Sequence, residues 1–260
     1  MVRARITAVD VRRPDLRQPF PKMFARRLTG QTVMALNRRA KYLLASLSSG
    51  ETLLMHLGMS GSFRVLRTIT PNATARDIGA HDHVIFYLSS GKVVVFNDPR
   101  RFGVMDLIPI GGLEAHHTVS RLGPEPLSKE FDAAALARAC RGKKVSLKAA
   151  LLDQRVVAGL GNIYASEALH RAELSPLRRA STIATSSGAP RDAAVRLVAA
   201  IKLVLERAIA RQSSRGAYRD SPFLMYDRQD EPCPRKDCGG TIRRRTQGGR
   251  STFYCPKCQR

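Results

Sequence analysis

Four cysteines crowd the C-terminal end of the chain as Cys233-x4-Cys238 and Cys255-x2-Cys258. A tetrad at this spacing binds zinc tetrahedrally, and the metal folds a segment too short to hold a core of its own. Between the pairs, Gly240 to Thr246 and Ser251 to Tyr254 read as two short strands. They meet at Gln247-Gly248-Gly249-Arg250, where adjacent glycines supply the positive φ of a tight hairpin. From Cys233 onward there are eight Lys/Arg against one acidic residue, so a zinc-held hairpin of this charge points to nucleic acid. Two disulfides are the competing use of the thiols. The chain shows no signal-peptide pattern and has one other cysteine, Cys140, which fits a reducing compartment and metal binding. Four protein ligands leave no position for water, so one structural zinc is expected at Cys233, Cys238, Cys255 and Cys258. Cys140 reads as an ordinary core residue of a helix.

The rest of the composition agrees. At 260 residues the chain holds two domains, or one large domain with an appendage, and 43% hydrophobic content supports real cores. No apolar run approaches the ~18 residues of a membrane span. The formal charge of +23, from 44 basic and 21 acidic residues, favours a polyanion whose binding weakens steeply with salt. Membrane-surface binding is the rival explanation, but neither end carries a strongly basic amphipathic helix. Nucleic acid is the better partner. No internal period suggests a solenoid.

The first 110 or so residues read as β structure. Arg3 to Arg12, Thr32 to Leu36, Tyr42 to Leu47 and a strand opening at Glu51 to His56 are short and punctuated by turns. His83 to Leu88 and Lys92 to Asn97 flank Ser89-Ser90-Gly91 as a hairpin. Such spacing suggests a β-sandwich, with Phe20 to Leu28 as a short bridging helix and Thr68 to Ala80 as a mobile polar loop. Leu122-Gly123-Pro124-Glu125-Pro126-Leu127 marks a boundary. Beyond it come helical patterns at Asp132 to Cys140, Leu147 to Leu152, Ile163 to Arg171 and Arg191 to Arg211, with Ser128, Ser146 and Asn162 as N-cap candidates. The expected fold is α+β and multidomain. It comprises an N-terminal β-sandwich over 1–110, a helical domain over 122–220 and a zinc-ribbon hairpin over 226–260.

Four further segments bear on chemistry. Val157-Ala158-Gly159-Leu160-Gly161-Asn162-Ile163-Tyr164 lacks the third glycine and the preceding strand of a dinucleotide fingerprint. A glycine-rich turn between helices instead suits a phosphate, gripped by backbone N–H groups and Asn162, or serves as a plain helix cap. Arg38-Arg39-Ala40-Lys41-Tyr42 opens a strand, and Lys41 there can make charge-assisted phosphate contacts. Asn97-Asp98-Pro99-Arg100-Arg101-Phe102-Gly103 presents two arginines and an aromatic on a turn forced by Pro99. His56-Leu57-Gly58-Met59-Ser60-Gly61 offers a second turn with a methionine. Taken singly, each has a plainer reading as core Phe, core Met or surface Arg.

Taken together and in this order along the chain, these segments and the zinc hairpin resemble the formamidopyrimidine-DNA glycosylase family of base excision repair enzymes. The resemblance runs from about Arg5 to Arg260 and is nearer the oxidised-purine branch than the endonuclease VIII branch. It implies a β-sandwich, a helix-two-turn-helix domain and a zinc finger, with DNA held between them. The implied activity is removal of oxidised purines such as 8-oxoguanine and formamidopyrimidines, with nicking of abasic sites by Schiff-base β,δ-elimination. By resemblance, Met59, Arg100 and Phe102 fill the gap left by the extruded nucleotide, as apolar wedges and an arginine beside an orphaned base would. Lys41 corresponds to the lysine credited with proton transfer in β-elimination. Arg250 corresponds to the finger arginine assigned to δ-elimination, where charge stabilisation suits a group that stays protonated. His81, Lys143 and Asn162 match DNA-contacting positions, and His56, Arg101 and Lys148 fall on phosphate contacts. The partner implied is damaged or abasic double-stranded DNA, bound by a monomer in a bacterial cytoplasm, in association with the nucleoid and with no membrane.

Two departures from the family pattern are visible. The family opens on a catalytic proline and glutamate, whereas this sequence opens Met1-Val2-Arg3, roughly twenty residues later in the pattern. That leaves a non-catalytic binder of damaged or abasic DNA as the alternative expectation, since the remaining groups only position and stabilise charge. The segment Arg215 to Met225 is shorter than the branch's base-covering loop by about nine residues, which implies weaker discrimination for 8-oxoguanine than for abasic sites.

Overall fold

A computed structural model of the chain describes residues 1–66, 78–215 and 223–260, and of 212–215 the backbone alone. Most of the expected loop Thr68 to Ala80, and 216–222 of the shortened segment Arg215 to Met225, lie outside the described residues. The chain forms two compact units, Met1–Ser120 and Arg121–Arg260. Among the described residues, no helix is long and apolar enough to cross a membrane.

The first unit is built from two antiparallel four-stranded sheets. One contains β1 (Ile6–Val11), β6 (Asp82–Leu88), β7 (Val93–Asn97) and β5 (Ser62–Leu66), in that order. The other contains β2 (Val33–Arg39), β3 (Tyr42–Leu47), β4 (Thr52–His56) and β8 (Val104–Ile108). Ile6, Val84, Phe86 and Phe96 of the first sheet share one buried cluster with Val33, Ala45, Leu53, Met55 and Leu107 of the second. A β-sandwich results, its inner faces set by two-residue alternation. Helix α1 (Phe24–Leu28) covers one side through Phe24 and Leu28, so the expected helix is shorter than the Phe20 to Leu28 pattern suggests. β5 and β8 were not anticipated. Each lies at the edge of its sheet and is defined by the neighbour it pairs with rather than by a strong pattern of its own.

The second unit begins with α2 (Ala133–Cys140), α3 (Leu147–Leu152) and α4 (Asn162–Arg171), followed by a 3-10 turn (Ala180–Ile183) and the long α5 (Asp192–Arg215). Ser146 caps α3 as expected, its hydroxyl accepting from Ala149 N at 3.2 Å. Two other cap assignments are corrected. Asp132, not Ser128, caps α2 through Ala135 N at 2.7 Å. Gly161 caps α4, which makes Asn162 the first helical residue, and no side chain closes that end. Cys140 is fully buried, and burial pushes its thiol up to about 11, so it is an inert core residue.

The hairpin pairs β9 (Arg243–Gln247) with β10 (Arg250–Tyr254) across Gly248 and Gly249, both at positive φ (53° and 72°) as a two-residue turn of this hand requires. Its core is small: Met225, Ile242 and Phe253 beside the cysteines. Glu167 of α4 anchors the chain that enters it. The buried carboxylate accepts from Leu224 N, Met225 N and Tyr226 N at 2.9, 2.8 and 3.0 Å. Glu167→Ala strands three backbone donors and is expected to cost about 3 kcal/mol or more, read as a lowered urea midpoint for zinc release. Glu167→Gln, which keeps one acceptor, is expected to lose less.

Candidate nucleic-acid interface

In the first unit the strand register gathers the sequence-derived candidates at one end of the sandwich. Tyr42 pairs with His56, and His56 pairs with Val104. The start of β3, the end of β4 and the start of β8 are therefore adjacent. Asn97 at the end of β7 pairs with both Ser62 and Asp82, which brings in the starts of β5 and β6. Lys41, His56, Met59, His81, Arg100, Arg101 and Phe102 all sit on these strand ends or the turns between them.

One buried carboxylate organises the two central turns. Asp98 is fully buried. It accepts from the Ser60 hydroxyl at 2.6 Å and from Gly103 N at 2.7 Å, while Arg100 N reaches the same Ser60 oxygen at 3.3 Å. Its own main chain bonds His81 O through N–H and His83 Nε2 through C=O. Gly58 completes the lock: its φ is +66°, and a Cβ there would stand 2.5 Å from the carbonyl carbon of Phe102. The turns are fixed while their tips are not covered. Met59 is 72% exposed and Phe102 39% exposed, and the Arg100 guanidinium lies over the Phe102 ring at 4.7 Å. An exposed apolar pair with a cation between backbone-locked turns is a surface shaped to contact something planar.

The charges beside these turns are mainly positive. His56 Nδ1 accepts from Gly58 N at 2.9 Å, which assigns the ring proton of the neutral imidazole to Nε2. Burial foremost, then Lys41 and Arg17, hold its pKa below the ordinary value, so it is neutral near pH 7. Arg17 was missed in the sequence, since Asp15-Leu16-Arg17 carries no motif. It arrives here because its N–H bonds Gly103 O at 3.2 Å. Arg101, at φ +55°, pairs with Asp15 at 3.4 Å, an exposed pair of little energetic weight. Ser60, Asp98 and Gly58 were likewise not singled out. The sole sequence hint was the Gly-x-x-Gly and Asp-Pro spacing of their turns.

In the second unit, the N-terminal ends of α3 and α4 meet the hairpin. Gln247 Nε2 donates to the Ser146 cap at 3.0 Å, and Asn162 Nδ2 donates to Ser251 O at 3.0 Å. Lys148 departs from its expected role. Its side chain is 1% exposed, and Nζ donates to Ser251 O at 3.0 Å and Thr252 Oγ1 at 2.8 Å. It is a bolt between α3 and β10 rather than an outward phosphate contact. Burial, then Arg250, lower its pKa to about 8. Arg250 itself is exposed at the hairpin tip, and Lys143 is half-buried in the loop before α3. The side-chain-free N-terminus of α4, Arg250 and the nearby Lys148 ammonium together form a site suited to an anion.

The four cysteine sulfurs lie within 4.8 Å of one another, with Cys233–Cys258 at 3.8 Å and Cys238–Cys255 at 3.7 Å. A zinc with Zn–S bonds of ~2.3 Å spans tetrahedron edges of about 3.8 Å, so the thiols fit the ion. His170 Nε2 stands 3.4 Å from Cys233 Sγ. Burial, then Arg235, push its pKa down to about 4, so the neutral ring can donate N–H to a zinc-bound thiolate.

Three family models match along the chain. They are the formamidopyrimidine-DNA glycosylase N-terminal domain over residues 1–105, the formamidopyrimidine-DNA glycosylase H2TH domain over 122–218, and a zinc finger found in FPG and IleRS over 230–260. A formamidopyrimidine-DNA glycosylase of Bradyrhizobium sp. (strain BTAi1) is 58% identical over 99% of this chain and 93% of its own length. One from Rhodopseudomonas palustris (strain BisA53) is 57% identical with the same coverage. Among solved structures, Lactococcus lactis formamidopyrimidine DNA glycosylase bound non-covalently to AP-site DNA superposes with a TM-score of 0.85 at 27% identity, over 100% of this chain and 94% of that one. MutM in complex with DNA containing carbocyclic 8-oxo-G superposes at 0.86, also at 27% identity and with the same coverage.

Proposed function

Because the chain belongs to the formamidopyrimidine-DNA glycosylase family, we propose that it is a base excision repair DNA glycosylase that engages damaged or abasic duplex DNA. The observation that carries this reading is the pair of Asp98-locked turns presenting Met59, Arg100 and Phe102. Met59 and Phe102 enter the stack where a nucleotide has been extruded, and Arg100 donates to the base left unpaired. His56 Nε2–H, Lys41, Arg101 and His81 hold the flanking phosphates. To Lys41 we assign proton transfer during β-elimination, on the family resemblance. On the second unit, Arg250, Asn162 and the α4 N-terminus hold a phosphate, and Lys143 adds charge beside it. Zinc, when bound, supplies the fold of the hairpin and no reaction step.

The test is duplex binding at two salt concentrations. A duplex carrying a tetrahydrofuran abasic analogue is expected to bind at least tenfold more tightly than its intact counterpart. The double variant Met59→Ala/Phe102→Ala is expected to erase that preference while keeping salt-dependent binding. Equal affinity of the unaltered protein for both duplexes would sink the proposal. Borohydride reduction with an abasic duplex separates the enzyme from the non-catalytic alternative: a covalent adduct marks the enzyme, and preferential binding without one marks the binder.

Lys148 makes this binding depend on pH. In the free protein its ammonium titrates at about 8, and a phosphate bound beside it raises that value. Binding then takes up a proton, so affinity is lost as pH rises through 8. Between pH 7 and pH 9.5 the loss is expected to be about sevenfold when the complex raises the pKa by one unit. Fluorescence anisotropy should show this slope in the unaltered protein and a flatter one in Lys148→Met.

A further inference from the structure

A second concave, positively charged site lies on the second unit, away from the hairpin tip. It is a pocket of about 500 Å³ lined by Glu173, Leu174, Arg178, Arg196, Lys257, Cys258 and Arg260. The walls come from three places: the chain just past the C-terminal end of α4, the first turns of α5, and the last cysteine pair with the residues that follow it. Asn162 and its bond to Ser251 are at the N-terminal end of α4. That helix has 10 residues, so about 15 Å of helix separates the two sites.

Basic side chains outnumber acidic ones in the pocket, four to one. Glu173 is its one acidic wall, and that carboxylate is engaged by Arg235 at 2.6 Å. Among the described residues, no carboxylate side chain lies in ion-pair range of Arg178, Arg196, Lys257 or Arg260. Part of the cluster has a structural use. Arg196 Nε donates to the α4 C-cap carbonyl of Ala172 at 3.4 Å, and Arg178 donates to Thr182 Oγ1 at 2.8 Å and Arg260 O at 3.2 Å. These bonds orient the guanidiniums, and the one to the terminal oxygen of Arg260 offsets part of the charge on Arg178. Burial and the neighbouring Arg196 both work against the charge on Arg178. Lys257 and Arg260 donate no side-chain bond to either helix, so capping does not account for their presence here.

We propose that this pocket binds a phosphate group, supplied by the backbone of nucleic acid outside the lesion footprint. Arginine forks favour phosphate geometry, and several cations around one concavity attract it more strongly than a single exposed pair. The lining contains no aromatic ring, and Leu174 is its one large apolar side chain. A base therefore finds nothing to stack on, which favours a bare phosphate over a nucleotide. A protein with net charge +23 already attracts such backbones, and a pocket remote from the hairpin tip extends the length of strand engaged.

The test uses the zinc-loaded full chain and the variants Lys257→Gln and Arg178→Gln/Lys257→Gln/Arg260→Gln. Lys257→Gln touches an exposed side chain, so it stays informative should the triple variant fold poorly. On a long undamaged duplex, the triple variant is expected to lower the slope of log affinity against log salt by about 0.9 for each phosphate it no longer neutralises, and the single variant by a smaller step. Affinity for a short duplex spanning the abasic analogue alone should not change, which keeps this test separate from that of the wedge. Unchanged slopes on the long duplex overturn the proposal. Equal losses on both duplexes also overturn it, because the pocket would then belong to the lesion footprint. Inorganic pyrophosphate provides the other arm: a thermal shift lost in the variants, alongside unaltered DNA slopes, would assign the pocket to free phosphate and reject the nucleic-acid source.

Discussion

Removing zinc from the Cys233–Cys238–Cys255–Cys258 tetrad is expected to abolish high-affinity duplex binding, by a hundredfold or more, and to restore it when zinc is returned. The hairpin has few other means of support. Its apolar core is Met225, Ile242 and Phe253, and three arginines of β9 are exposed. A structural zinc contributes on the order of 10–16 kcal/mol in segments of this kind, more than so small a core can replace. Without it, Arg250 loses its pairing with Gln247, and Ser251 no longer meets Lys148 and Asn162. Lys148 would then be a buried ammonium stripped of both acceptors. Burial also raises the Cys233 and Cys258 thiols, so protons compete with the metal and zinc release should quicken as pH falls. Chelator-driven zinc release, followed by anisotropy with a duplex, measures both effects. Retained binding after complete zinc loss would show that the hairpin is held by something other than the metal. The first unit shares no ligand with the tetrad and should keep its own unfolding transition.

The second large effect is expected at Asp98. Asp98→Ala strands the buried Gly103 N–H, at about 1–3 kcal/mol, and removes the acceptor of the part-buried Ser60 hydroxyl at a smaller cost. Asp98→Asn is milder: its oxygen can still accept from Gly103, and its amide can donate to the Ser60 oxygen, which has lone pairs to spare. The order Ala worse than Asn should appear in urea midpoints. Ser60→Ala distinguishes positioning from stability. It removes the bridge between the Met59 and Arg100 turns while leaving the Gly103 bond intact, so the fold should survive with a loss of about 1 kcal/mol. Preference for abasic over intact duplex should nevertheless fall about tenfold, equivalent to 1.4 kcal/mol of differential binding. If Ser60→Ala kept the full preference, the turns would not need coupling. Gly58→Ala should resemble the harsher variant, because its Cβ would collide with the Phe102 backbone at a strained φ.

Much of this was legible from local signals. Tyr42 to Leu47 and Leu147 to Leu152 form at the residues their patterns indicate, and Ser146 caps as its type suggests. The Gly248-Gly249 turn and the thiol tetrad follow from composition and spacing alone, whereas the turns holding Met59, Arg100 and Phe102 drew attention only through their order along the chain and the family resemblance. Edge strands β5 and β8 were not legible, because an edge strand is stabilised by a partner distant in sequence. Asn162 was assigned one position too far out, since Gly161 adopts the extended cap conformation without any side-chain signal. Arg17 lacked a motif altogether.

The sequence by itself determined most of the elements, the metal and the sign of the surface, since these depend on residue type and short spacing. Only the tertiary structure decided which charged groups face outward. Lys148 and Arg250 look alike in the sequence, yet one is a buried bolt at 1% exposure and the other a free tip. Asp98 likewise became the centre of a clamp through bonds to residues up to 38 positions away. Burial and hydrogen-bond partnership arise when distant segments exclude water together, and no local pattern records where that will happen.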